Sequence, residues 1–492
     1  MRKKISMLMC IAIAAGAVSC LTGCGDKNSK GGGDTLVWYC IGDTPKDNAK
    51  VLEKANEIIE PEIGMKLDIQ YIDSASFTEK MKLKMAAGEA YDLTFTGYVN
   101  PYQTAVNMGG LYDITDLIEE VNMREVIEDF YLEAATVNGR IYGIPNIQVV
   151  SNPGCLQIAK PLAEECGVDL TKMQEYAVNA KSYQDVENMM NEIDKAVRQI
   201  HEKRPDLYAV SPNTLWSMSP LYEDVGGGVL LRKDGSSDKL IIGRDTDEWK
   251  LGADMIAKWY QDGCIRSDIA SKPTATTIEE KKQIGLSWTT WKPGQEVYYI
   301  KDYGYEPEYG FLHEPYVSRT SSLMTMVSVG ANTKHPKEAV QLIKLMNSNE
   351  ELYNIICWGL KDVHYTMDDE GKVKEIENSG YNGIGQNAWR YGNQFKGFVM
   401  QGQPDDVWEQ TEKMNNEARK SPALGFVPDT DPIANELANI TNIESEYTAK
   451  INYGTAQRET YYDEYCQKLD QAGQQKVLKE LQKQYDEFLA SK

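Results

Sequence analysis

Two tryptophans stand three residues apart in the polar run Ser287-Trp288-Thr289-Thr290-Trp291-Lys292-Pro293-Gly294, and another, Trp216, sits in Asn213-Thr214-Leu215-Trp216-Ser217. Runs of this kind read as loops, where an indole offers a flat apolar face and an N–H to a ligand instead of filling a core. The chain has 9 Trp and 29 Tyr, and most of them must serve ordinary cores. Polar partners come from the ends of predicted strands: Asp43 after the first, Thr96 and Tyr98 at the third, and Asn146 and Gln148 at the first crossing between lobes. An ionised Asp43 accepts paired hydroxyl donors, while the hydroxyl and amide groups of the others would orient a ring. The competing role for each is turn chemistry.

Bond-breaking chemistry has no comparable signal. There is no G-x-S-x-G, H-E-x-x-H or G-x-x-x-x-G-K, and His201, His313, His335 and His364 are far apart. Acidic pairs such as Glu223-Asp224 are expected by chance among 74 Asp and Glu and read as solvated faces. A glycosidase using two carboxylates is the rival enzyme class. Gly226-Gly227-Gly228 lacks a following Lys and reads as a flexible loop. Asp245 with Asp247, and Asp429 with Asp431, start but do not complete a calcium loop. The expectation is no catalytic residue, no metal and no cofactor.

The N-terminus carries chemistry of another kind. Arg2, Lys3 and Lys4 precede the apolar run Met7 to Val18, and Leu21-Thr22-Gly23-Cys24 closes it with the pattern after which a bacterial lipoprotein is cut and lipidated at Cys24. Residues 1–23 read as the signal and residues 24–34 as a flexible tether. Cleavage removes three cations and no acids, taking the net charge from −22 to −25. Such a balance argues against nucleic acid and against peripheral binding to anionic lipid. No later apolar run is long enough to span a bilayer, so membrane association falls to the lipid. Cys40, Cys155, Cys166, Cys264, Cys357 and Cys466 contain no C-x-x-C pair, and both disulfides and buried thiols stay open.

The mature chain is long enough for two or three domains. Thr35 to Ile41 reads as a strand, Val51, Leu52, Ala55, Ile58 and Ile59 as a helix stripe ended by Pro61 and Gly64, and Leu67, Ile69 and Tyr71 as a second strand. Ser76 with Glu79 reads as a capping box opening a helix that Gly88 ends, and Tyr91 to Thr96 as the third strand. This β-α-β-α-β order implies a mostly parallel sheet whose binding crevice lies at the carboxyl ends of the strands. Gly139 to Pro145 reads as an extended crossing at a lobe boundary. Residues 160–204 are helical in composition, and Pro205 to Pro212 interrupts them. Asp234-Gly235 and Glu370-Gly371 mark hairpins. Helices are expected at Trp249 to Tyr260, around Ala339, Leu342, Ile343 and Met346, and at the end of the chain, where Val477, Leu478, Leu481, Tyr485 and Phe488 form a stripe that must be covered.

The lipidation pattern, Leu36-Val37-Trp38-Tyr39, Tyr91-Asp92-Leu93-Thr94 and Gly139-Arg140-Ile141-Tyr142-Gly143-Ile144-Pro145 together resemble the extracellular solute-binding proteins of ABC importers, of the family 1 sugar-binding type. Asn332-Thr333-Lys334-His335-Pro336-Lys337-Glu338-Ala339 resembles the family's return to its first lobe. Trp358-Gly359-Leu360-Lys361-Asp362-Val363-His364-Tyr365 and Trp389-Arg390-Tyr391-Gly392-Asn393-Gln394 resemble a Gram-positive lipoprotein subgroup with a C-terminal domain of unknown function, which here would begin near Ser421-Pro422-Ala423-Leu424-Gly425-Phe426. Lys361 stands where the subgroup often has an acid, which puts a local charge role in doubt.

The resemblance implies an α/β, two-lobe, periplasmic-binding-protein-like fold with a hinge and an interlobe cleft. Residues 35–145 and 319–365 would form the first lobe, 146–318 and 366–420 the second, and 421–492 a helical module packed on the second. It implies capture of a carbohydrate, an oligosaccharide for preference, by a monomer anchored to the outer face of the cell membrane, and delivery to a permease. Peptide or another polar nutrient is the alternative ligand.

Overall fold

The computed structural model describes residues 35–211, 219–273, 275, 277–381 and 385–491. Cys24, the signal, the tether and Trp216 lie outside the described residues. The chain builds two α/β lobes, each around its own core.

The first lobe holds a five-stranded sheet in the order Lys66–Ile72, Thr35–Ile41, Leu93–Gly97, Thr325–Val329, Gly143–Pro145. The first three strands run parallel and the last two join antiparallel. Thr35–Ile41 is apolar nearly throughout because helices cover both faces of the sheet. Helix Asn48–Ile63 ends at Gly64, whose φ of 75° supplies the left-handed cap. The Ser76/Glu79 capping box does not form. Asp73, directly after the second strand, takes the N-cap of helix Ser74–Ala86 instead, accepting from Ala75 N at 3.1 Å. Gly143–Pro145 is the edge strand of this sheet, so the crossing starts at Asn146, not at Gly139.

The second lobe centres on a sheet in the order Pro307–Phe311, Gly154–Ala159, Ile284–Thr290, Tyr208–Val210, the last pair parallel. Helices Lys160–Cys166, Thr171–Val178 and Tyr183–Lys203 pack on it, and the Pro205 to Pro212 interruption contains the strand Tyr208–Val210. Both expected hairpins are present: Val229–Arg232 pairs with Ile241–Ile242, and Tyr365–Met367 with Val373–Glu375.

Of residues 366–420, expected in the second lobe, the hairpin and the segment through Tyr391 pack on the first core instead, while Gln403 and Val407 meet Gly294 of the second lobe. Val373, Tyr381, Ala388, Tyr391 and Ala418 are buried in the first core, because the hairpin follows helix Glu350–Trp358 directly and its apolar side chains fall on that helix's side of the molecule.

Helices Ala434–Asn452, Tyr462–Gln471 and Gln474–Ser491 share a core with Val225, Val229, Leu231, Trp249 and Ala253. Val477, Leu481 and Tyr485 are buried there. Gly226-Gly227-Gly228 is not a loose loop: it turns the strand Tyr222–Gly226 into Val229–Arg232 and wedges between module helices. A Cβ on Gly227 would meet Leu437 at 2.8 Å, and its carbonyl accepts from Gln474 Nε2 at 3.0 Å. Arg458 grips Asp254 with two bonds of 2.7 and 2.9 Å, and Arg244 reaches Asp470 at 2.5 Å. Among the described residues no helix is long and apolar enough to cross a membrane.

Candidate functional site

The pairing registers define where the lobes meet. Thr325 lies opposite Gly97 and Met326 opposite Pro145, so both crossings leave the first sheet at the edge where its parallel strands end. In the second sheet Thr290 lies opposite Gly154 and Phe311 opposite Cys155, so its joined edge carries residues 290–293 and 311–313. Carboxyl ends of strands from both lobes therefore border one interlobe space, the arrangement in which open α/β sheets bind ligands.

On the first-lobe edge stands an aromatic platform. Phe95 is fully buried, Trp389 is half-buried and Tyr98 is 47% exposed, with ring centroids 5.9 to 6.2 Å apart and edge-on or tilted. Arg390, buried, donates to the Ile41 carbonyl and lies 5.4 Å from the Trp389 ring centroid. Gly42, with φ of 126°, has no Cβ where that guanidinium sits. Asp43 follows it and is exposed.

The other first-lobe candidates have partners inside the protein. Thr96 is buried, its hydroxyl 2.7 Å from that of Ser328. Asn146, also buried, donates to the Trp389 carbonyl at 3.1 Å and accepts from Gly392 N at 3.0 Å. Gln148 donates to Thr325 Oγ1 at 2.6 Å. These three groups hold the strand ends and the Trp389 segment in register.

Trp288 is not in a loop: it lies within the strand Ile284–Thr290 opposite Leu156, two residues short of the second-lobe edge, donates to the Ser211 carbonyl at 2.9 Å and packs partly against the second core. Trp291 donates to Glu296 at 2.8 Å and meets Phe311 edge-on at 5.5 Å. Lys292, next along, has its ammonium 5.8 Å from the Tyr298 ring centroid, and burial pushes its pKa down. His313 accepts from Gly154 N through Nε2 and bonds the Glu314 carbonyl through Nδ1. That tautomer is neutral, and burial pushes its pKa down to about 3. Glu223, read as part of a solvated face, is buried and accepts from Arg319 N and Ser421 Oγ.

A single side chain organises the first crossing. Asn415 of helix Val407–Glu417 accepts from Val150 N at 3.0 Å and Ser151 Oγ at 2.9 Å, and donates to the Gln148 carbonyl at 2.8 Å. The small apolar gap among Trp38, Leu93, Val327, Leu342 and Met346 lies inside the first core, away from the interlobe edges. Among the described residues no group of three or more His, Cys, Asp or Glu is placed to hold a metal ion.

Trp389 was visible in the sequence only as part of a resemblance. It lies in a run rich in Gly, Asn and Gln, the same polar setting that singled out Trp288 and Trp291.

Residues 422–490 match the family described as a domain of unknown function, DUF3502. A carbohydrate ABC transporter substrate-binding protein of Streptococcus pneumoniae serotype 4 is 27% identical over 507 aligned positions, 98% of this chain and 97% of its own. The crystal structure of the N-glycan transport solute binding protein of Streptococcus pneumoniae superposes with a TM-score of 0.78 at 25% identity, covering 93% of this chain and 99% of that one. The same protein in complex with Man5GlcNAc gives 0.72 over the same shares. The two-lobe fold is common to this chain and to these solved structures.

Proposed function

We propose that this chain, a relative of the carbohydrate ABC transporter substrate-binding proteins, is the solute receptor of an ABC importer and holds a carbohydrate, an oligosaccharide for preference, between its lobes. The observation carrying this reading is the aromatic pair of exposed Tyr98 and half-buried Trp389, backed by buried Phe95, on one edge of the interlobe space, with Trp288, Trp291 and Phe311 on the other. Aromatic faces with few polar groups suit sugar rings, whose C–H faces stack while hydroxyls bond at the rim. Near full-length likeness to carbohydrate receptors supports the same ligand class.

In this reading Tyr98, Trp389 and Trp291 stack on the ligand, Asp43 accepts paired hydroxyls, Trp288 borders the second-lobe side, and Trp216 is a further stacking residue. Thr96, Asn146 and Gln148 act by holding the strand ends. The cycle makes and breaks no bond. Ligand shifts the lobes toward closure by binding the closed arrangement better, and the closed receptor docks on the permease. The protein works as a monomer outside the cytoplasm, lipidated at Cys24 and tethered by residues 24–34 to the membrane face.

A thermal-shift panel on the chain from Thr35 tests the ligand class. Saturable stabilisation by a glycan reflects preferential binding to the folded state and supports the reading. Stabilisation by peptides alone would move the receptor to another nutrient, and release of shortened glycan would make it a glycosidase.

A further inference from the structure

A short strap leads into the C-terminal module, and its side chains alternate between two cores. Ala423 and Phe426 are buried in the core that the module shares with the second lobe, 0% and 3% exposed, while Leu424 and Val427 pack against the core of the first lobe. Just before it, Arg419–Lys420 pairs in parallel with Tyr316–Val317 of the return crossing, and Ser421 N donates to the Val317 carbonyl at 2.9 Å. Arg319 of that crossing donates to the Phe426 carbonyl at 3.4 Å and to the Val225 carbonyl at 3.3 Å. The far end of the strap also touches the first lobe, where Asp431 Oδ1 accepts from Asn107 Nδ2 at 3.5 Å.

The module itself is fixed to the second lobe by the Gly227 wedge, Arg244–Asp470 and Arg458–Asp254. Any change in the angle between lobes must therefore move the seats of Leu424 and Val427 relative to those of Ala423 and Phe426. Gly425 lies between them with φ of 83°, a backbone state that glycine adopts without strain.

We propose that the strap Ser421–Asp431 is a positioning element for ligand capture: with a seat in each lobe, it limits how far the lobes separate and so sets the fraction of receptors poised to close. The proposal rests on the reading of the protein as a receptor that closes on its ligand. Apparent affinity scales with the binding-competent fraction, so the role of the module is to raise affinity without touching the ligand.

The test is small-angle scattering of the ligand-free chain from Thr35, which needs no knowledge of the ligand. Leu424→Ala with Val427→Ala loosens the first-lobe seat, and Leu424→Ala alone reads the same quantity if the pair does not fold. The expected result is a larger radius of gyration with both lobes still folded by circular dichroism. A short bismaleimide joining Asn107→Cys to Asp431→Cys, in a Cys466→Ser background, should restore the parent value. Once a ligand is known, its apparent Kd for the loosened variant should rise on the order of tenfold. A radius unchanged by loosening, or an expansion that the cross-link does not reverse, would overturn the proposal. A wrong ligand class would leave the scattering result intact, so the two readings fail separately.

Discussion

Asn146 and Trp389, 243 residues apart, are locked together: the Asn146 amide donates to the Trp389 carbonyl at 3.1 Å and accepts from Gly392 N at 3.0 Å. The residue that begins the first crossing thus fixes the segment carrying the half-buried aromatic of the interlobe edge.

Asn146→Ala leaves the buried Gly392 N–H and the part-buried Trp389 carbonyl without their partner, the first costing roughly 1–3 kcal/mol before relaxation and the second less. The variant should melt at a lower temperature and also bind ligand more weakly, since Trp389 loses its anchor. Denaturant titration and ligand titration check the two effects, and a loss of stability with unchanged affinity would separate Asn146 from the site.

Tyr98→Ala and Trp389→Ala remove stacking faces. Each should raise Kd by roughly tenfold to a hundredfold, the equivalent of about 1.5–3 kcal/mol for covering a large side chain. Tyr98→Ala should do so with little change in melting temperature because the ring is 47% exposed.

Much of this architecture was legible in the sequence, and the misreadings have physical causes. Thr35–Ile41 and Gln474–Ser491 follow apolar periods that burial enforces, and both form as read. Thr96 and Asn146 read as strand-end polar residues free for a ligand, but a strand end also needs hydrogen bonds to close its edge, and these two provide them. The Gly226–Gly228 turn looked loose because its conformation depends on Leu437 and Gln474, more than two hundred residues away. Pattern reading sees local periods, whereas Trp389 meets Tyr98 only after the chain has crossed between lobes and returned.

The module's seat carries a pH dependence. Burial, and then the charge of Asp224, push the Glu444 carboxyl up to about 7. An acid whose folded pKa lies above its unfolded value of about 4.3 binds its proton more tightly when folded, so stability is lost as pH rises between those values. Glu444→Gln should therefore melt above the parent at about pH 8 and converge with it near pH 4, by calorimetric scans. A constant offset across that range would exclude Glu444 as the source.

Asn415→Ala would leave Val150 N, Ser151 Oγ and the Gln148 carbonyl without their shared partner. A destabilisation of roughly 2–3 kcal/mol is expected, with faster amide exchange confined to residues 148–151. Exchange that quickens uniformly over both lobes would deny Asn415 a local hold on the crossing.

The most direct test of carbohydrate capture is calorimetric titration of the chain from Thr35 with Man5GlcNAc and a panel of other oligosaccharides, beside the Tyr98→Ala/Trp389→Ala double variant. Saturable binding of at least one glycan, recovery of that glycan at unchanged mass, and loss of the heat in the double variant are expected. Absence of heat with every glycan while a peptide pool binds, or binding that the double variant retains in full, would contradict it.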